Sequence, residues 1–141
     1  MKLPLAAMAV GVLAMGTASP LRAETIHYAT TLTGASEVPP NDTSGTGTVD
    51  ADLDTATRTF TYTISYSGLT GPAVAAHFHG PAAPGSNAPP IIKIENLASP
   101  IKGSAVLTTD QMADLQAGKW YFNVHTKAHP GGEIRGQLTT P

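Results

Sequence analysis

Cysteine is absent from the 141 residues, which excludes disulfide bonds, thiolate-bound clusters, zinc fingers and thiol nucleophiles. Charge is scarce as well. Asp, Glu, Lys and Arg make up 13% of the chain, against about 25% in an ordinary soluble domain. The eight Lys and Arg are scattered and the formal net charge is −2. With no basic patch to neutralise phosphates, nucleic acid is not an expected partner. There is no Walker loop, dinucleotide fingerprint or Ser-His-Asp order. No apolar run reaches the roughly 20 residues that a membrane-spanning helix needs. No internal repeat divides the chain, and its length suits one domain.

Two things are plentiful. Glycine (14) and proline (12) are spread along the chain, which predicts many turns and short strands rather than long helices. The N-terminus has the shape of a secretory leader. Lys2 precedes an apolar stretch from Leu3 to Gly16, followed by the small residues Thr17, Ala18 and Ser19. Cleavage after Ala18 or after Ala23 fits. The expected organisation is a signal peptide over 1–23 and one domain over 24–141, placed in the periplasm or secreted. No membrane contact is expected after cleavage.

The clearest strand runs from Thr59 to Tyr66. Phe60, Tyr62, Ile64 and Tyr66 share one face, and threonines and Ser65 the other. A period of two marks a half-buried strand. Further strands are expected over Thr25–Leu32, Gly45–Leu53, Ala73–His79, Pro90–Ile94, Gly103–Leu107, Trp120–Thr126 and Glu133–Thr139. One helix is expected over Thr109–Ala117, with Thr108 and Gln111 as a capping box and Gly118 as its stop. The predicted fold is all-β, a sandwich or small barrel with one short helix.

The candidate chemistry lies in the histidines. His77-Phe78-His79 sits within a strand, so both imidazoles point to one face, about 6.5–7 Å apart at Cα. Phe78 points to the other face and the core. His125 shares a face with Tyr121 and Asn123. If the two strands are neighbours, His77, His79 and His125 converge. Three neutral imidazoles suit copper or zinc and leave a position open for water or a small ligand. His129 is a further candidate ligand, a proton shuttle or a solvated turn residue. His27, near the start of the domain, reads as a surface or packing residue.

Other polar residues divide between structure and function. Glu133, Arg135 and Gln137 share a face of the last strand. Glu133 can orient a histidine or form a cross-strand pair on a solvated face, and Arg135 can attract an anion. Glu37, before Pro39 and Pro40, is a remote candidate ligand. Asn41-Asp42-Thr43 matches a glycosylation sequon. Asp50, Asp52 and Asp54 alternate in the manner of a solvated edge that deters aggregation.

An ordered series of motifs adds a resemblance. Leu32-Thr33-Gly34-Ala35-Ser36-Glu37-Val38-Pro39-Pro40 and Tyr66-Ser67-Gly68-Leu69 are followed by Ala76-His77-Phe78-His79-Gly80-Pro81. Leu107-Thr108 through Leu115-Gln116-Ala117-Gly118 comes next, then Tyr121-Phe122-Asn123-Val124-His125-Thr126. Pro130-Gly131-Gly132-Glu133-Ile134-Arg135-Gly136-Gln137-Leu138 closes the series. Together these resemble the CHRD domain, a module repeated in the animal protein chordin and found singly in exported bacterial proteins. The resemblance runs from about Thr25 to Leu138. It implies a binding module that can take a protein partner.

A weaker likeness is to copper-zinc superoxide dismutase. His77, His79, His125 and Arg135 match that family's order of H-x-H, later histidine and active-site arginine. The bridging histidine, the zinc cluster and the cysteine pair are missing, so the resemblance implies at most a copper-only site. The two likenesses imply a Greek-key β-sandwich, immunoglobulin-like or superoxide-dismutase-like. The leading expectation is a copper-binding (alternatively zinc-binding) protein engaged in metal handling. A copper-only dismutase-like enzyme with Arg135 guiding the anion, and a metal-free protein-interaction module, are the alternatives.

Overall fold

The β-branched and aromatic segments form eight strands, in a computed structural model that describes Gly16, Ser19 and residues 22–141. Apart from Gly16, Ser19, Arg22 and Ala23, the segment 1–23 expected to be a leader lies outside the described residues. The strands are β1 (Thr25–Thr33), β2 (Thr46–Asp54), β3 (Thr59–Ser67), β4 (Ala73–His79), β5 (Pro90–Lys93), β6 (Ile101–Val106), β7 (Tyr121–Thr126) and β8 (Ile134–Gln137). One helix, α1 (Thr109–Gln116), lies between β6 and β7. Its capping box is formed: Gln111 N–H donates to Thr108 Oγ1 and Thr108 N–H to Gln111 Oε1. Gly118, at φ 74°, ends it. No helix among the described residues is long and apolar enough to cross a membrane.

All strands are antiparallel neighbours in the order β5-β4-β7-β8-β1-β2-β3-β6. β1, β2 and β3 form a meander, and β8 returns beside β1 in the manner of a Greek key. The two edge strands, β5 and β6, are consecutive in the chain, so the sheet curls almost closed and its halves face each other. Aromatic rings fill the space between them. Phe78 of β4 meets Phe60 of β3 at 5.2 Å and Tyr62 at 5.0 Å, edge to face. Trp120 meets Phe60 at 5.5 Å. These are favoured geometries for ring pairs, and Phe60, Phe78 and Trp120 are fully buried.

The alternation read from the sequence holds along β2 and β3, where Val49, Ala51, Leu53, Phe60, Tyr62 and Ile64 all point inward. Two expectations change. β2, with Asp50 and Asp52, is not an edge but lies between β1 and β3. Its outward carboxylates face His27 of β1, whose Nε2 and Nδ1 lie 3.0 Å and 2.9 Å from Asp50 and Asp52. β6 starts at Ile101, earlier than expected, because buried Ile101 pairs with Ile64.

The outer face of β7 and β8 is not solvated. Two loops cross it: 34–41, which opens with a single 3-10 turn at Gly34–Ser36, and 80–89. Arg135 donates to the Ser86 carbonyl (2.6 Å) and to Asn87 Oδ1 (2.9 Å), and Asn87 donates to the Val38 carbonyl. Both faces of β7 are therefore covered over most of its length.

Candidate metal centre

β4 and β7 are adjacent, and their register sets His77 opposite Asn123 and Ala75 opposite His125. Side chains diagonal across an antiparallel pair remain within reach of one another when they are long. One nitrogen from each of His77, His79 and His125 lies within 4.8 Å of the other two. His77 Nδ1 and His125 Nε2 are 3.2 Å apart. Metal–nitrogen bonds of about 2.0–2.1 Å in tetrahedral geometry require nitrogens about 3.3 Å apart. The three rings thus need only small rotations to share one ion. Phe78, between them, anchors the strand in the core as the alternation predicts.

Backbone carbonyls orient two of the rings. His125 Nδ1–H donates to the Pro130 carbonyl at 2.9 Å, which turns the Nε2 lone pair toward His77 Nδ1. His79 Nδ1 lies 2.9 Å from the Ala88 carbonyl and its Nε2 2.8 Å from Asn123 Oδ1, so each ring nitrogen faces an oxygen acceptor. The Pro130 carbonyl fixes the His125 tautomer in the way such partners do for a metal-binding histidine. An ion held through His79 Nε2 would displace Asn123 Oδ1 from that nitrogen. His79 is also clamped by stacking. Its ring lies parallel to Tyr121, 4.6 Å between centroids and 3° between planes. The Arg135 guanidinium lies 3.5 Å from the opposite face of Tyr121, within cation–π range.

Two of the rings, His77 and His79, are held neutral. Burial, then the neighbouring His125, His79 and Lys93, push His77 down to about 4. Burial also lowers His79, outweighing its hydrogen bonds to Ala88 and Asn123. A neutral imidazole is the form that binds a metal ion. His79 is buried, while His77 and His125 are half-buried and form the open side.

Of the remaining candidates, His129 stands apart from the three-histidine group. It lies in the turn after β7, with Nε2 3.9 Å from Glu133 Oε1. Arg135 is 2% exposed and binds loop 80–89 and Tyr121. Glu133 is fully buried rather than solvated, and accepts from Thr43 and Thr126 hydroxyls and from Thr70 N–H and Oγ1–H. His27 is held on the outer face of the meander. The Asn41 side chain donates to the Glu133 carbonyl and accepts from Thr43 N–H, so it is enlisted in packing.

Two groups near the site differ from the sequence reading: Glu37, there only a remote candidate ligand, is buried, and Lys93 is not among its candidates. Glu37 is 4% exposed, and its Oε1 has no hydrogen-bond partner. Gly132, at φ 126°, leaves room for it, since a Cβ there would press on Glu37 and the Asn123 amide. Lys93 lies opposite His77 in the β4–β5 register. The parity that placed Tyr121 and Asn123 on the His125 face was the available signal for the residues around the site.

The family model of the CHRD domain matches residues 28–138. The chain belongs to the CHRD domain family. No curated protein and no solved structure matches it.

Proposed function

We propose that this CHRD-domain protein is exported and binds one copper ion, or alternatively zinc, through His77, His79 and His125, in a metal-handling role. The observation that carries this reading is the convergence of three imidazoles within 4.8 Å, two of them held against backbone carbonyls. A donor set of nitrogens alone suits copper and zinc and disfavours calcium and magnesium, which prefer oxygen. The apolar stretch from Leu3 to Gly16 behind Lys2 supports export.

The test is metal content. The domain from Glu24, without a histidine tag, is loaded separately with Cu(I), Cu(II) and Zn(II), dialysed and assayed beside His77→Ala and His125→Ala. About one ion per chain, lost in both variants, is the expected result. Under a tenth of an ion in the wild type, or full binding in the variants, overturns the site and favours a metal-free interaction module.

The half-exposed side formed by His77 and His125 favours a second reading, a copper-only enzyme of the superoxide dismutase kind. When bound, copper would supply redox cycling. Superoxide turnover by the copper-loaded protein, absent in His125→Ala, is its signature.

A further inference from the structure

We propose that the open side of the three-histidine site takes a small anion, and that Lys93 is the residue that attracts it. This rests on the metal-binding reading above and adds the class of its exchangeable ligand.

The charge of the ligand set comes first. The group consists of three imidazoles with no carboxylate among them. A divalent ion held by neutral ligands keeps both of its charges, whereas one ligand carboxylate would cancel half. Glu37, the buried carboxyl on this face, lies beyond Asn123, on the far side from the opening.

Access comes second. His79 is sealed by the Ala88 carbonyl, Asn123 and Tyr121. His77 and His125 are the half-exposed members, so an exchangeable ligand arrives on their side. β4 pairs there with the edge strand β5, and His77 faces Lys93 across the ladder. Directly opposed residues carry their side chains on the same face, with Cβ atoms about 5 Å apart. The ammonium acts on the His77 ring as a like charge. Its nearest acid, Glu95, is 4.0 Å away with both side chains largely in water, and such a contact holds weakly.

Arg135 is otherwise committed. Its guanidinium is buried against Tyr121 and bonded to Ser86 and Asn87. Lys93, largely in water and directly across the ladder from His77, is the cation that the β4–β5 register sets beside the opening. The exchange balances simply: an anion enters, a water molecule leaves, and no electron moves.

The probe is azide, titrated into the Cu(II)-loaded wild type at low ionic strength and followed by its charge-transfer absorption. Lys93→Gln and Lys93→Glu are compared with Lys102→Gln, which makes the same change of net charge on β6. One unit charge at this range alters anion affinity by about threefold at low salt. Azide affinity is expected to fall by about threefold in Lys93→Gln and about tenfold in Lys93→Glu, to hold in the Lys102 control, and to flatten with added salt. Copper per chain is counted in every sample. One copper with no azide binding, or equal affinities in the wild type and both Lys93 variants, overturns the proposal while leaving the metal site standing. No copper in the wild type overturns both.

Discussion

His79 and Tyr121 lie ring on ring, 4.6 Å apart and within 3° of parallel. The Tyr121 hydroxyl donates to the Ala88 carbonyl and accepts from Ala88 N–H, and that same carbonyl accepts from His79. Arg135 supports the stack from beneath and holds Ser86 and Asn87, just before Ala88. The arrangement is a closed circuit around one imidazole. Tyr121→Leu is expected to weaken metal binding by about 10–100-fold, the usual effect of losing a group that orients a ligand. Tyr121→Phe keeps the stack and should retain most of the affinity. Arg135→Lys keeps the charge without the planar fork and should fall between them. Competition against a chelator of known strength measures all three. Wild-type affinity in Tyr121→Leu would mean that Ala88 alone positions His79.

The Glu133 carboxylate organises the seam between loop 37–45, the start of β4 and the end of β7. Burial would push it up, but hydrogen bonds from Thr70, Thr126 and Thr43 outweigh that and hold it below the ordinary carboxyl range. A lowered value stabilises the fold above the ordinary carboxyl pKa, and the gain disappears as pH falls through the lowered one. Urea unfolding from pH 7 down to 3 should show this acid limb, flattened in Glu133→Gln. Glu133→Ala leaves several buried donors unpaired and should cost at least about 3 kcal/mol at pH 7. An unchanged unfolding midpoint would refute this role.

Glu37 has the opposite sign. Burial drives its carboxyl up to about 7, against the pull of Arg135, Asn123 and the Val38 backbone. Its neutral form suits the fold, so its contribution is complete below the ordinary carboxyl value and is lost as pH rises through about 7. Glu37→Gln should match the wild type near pH 4 and exceed it by about 3 kcal/mol at pH 8. Parallel unfolding curves for the two proteins across that range would sink the assignment.

Phe78 links the core to the site. It packs edge to face on Phe60 and Tyr62 while its chain neighbours carry the histidines. Phe78→Ala should destabilise by about 3–5 kcal/mol, the usual range for a buried aromatic. Phe78→Leu should lose less and keep the metal site. Differential scanning calorimetry, with and without metal, separates packing from ligation. A Phe78→Ala melting point equal to the wild type would contradict the packing described.

What the sequence made legible follows from the period of two. Alternation in Thr59–Tyr66 places Phe60, Tyr62 and Ile64 inside, and the same parity puts His77 and His79 together with Phe78 behind them. Local capping chemistry at Thr108 and Gln111 marks the helix. The pairing of β4 with β7, which brings His125 to His77, is a relation between segments some 50 residues apart that no local pattern encodes. The polar residues of β8 show the same limit. Alternation identifies the face of Arg135 and Gln137 but not the loops that cover it. For that reason Glu133 reads as part of a solvated face in sequence and is sealed in the fold, and Glu37, read as a remote ligand before two prolines, is buried. Asp50 and Asp52 face solvent as expected, yet a central strand carries them.

The two halves of the sheet are joined by the two ends of the domain. Thr33 of β1 pairs with Arg135 of β8, and Ala29 exchanges backbone hydrogen bonds with Thr139. The first strand therefore lacks one neighbour until the last has been synthesised. Closing so long a loop delays its reward and slows folding. It also makes the domain a single cooperative unit. Removing the final strand would strip β1 and β7 of a partner at once, and the histidine half and the meander would come apart together.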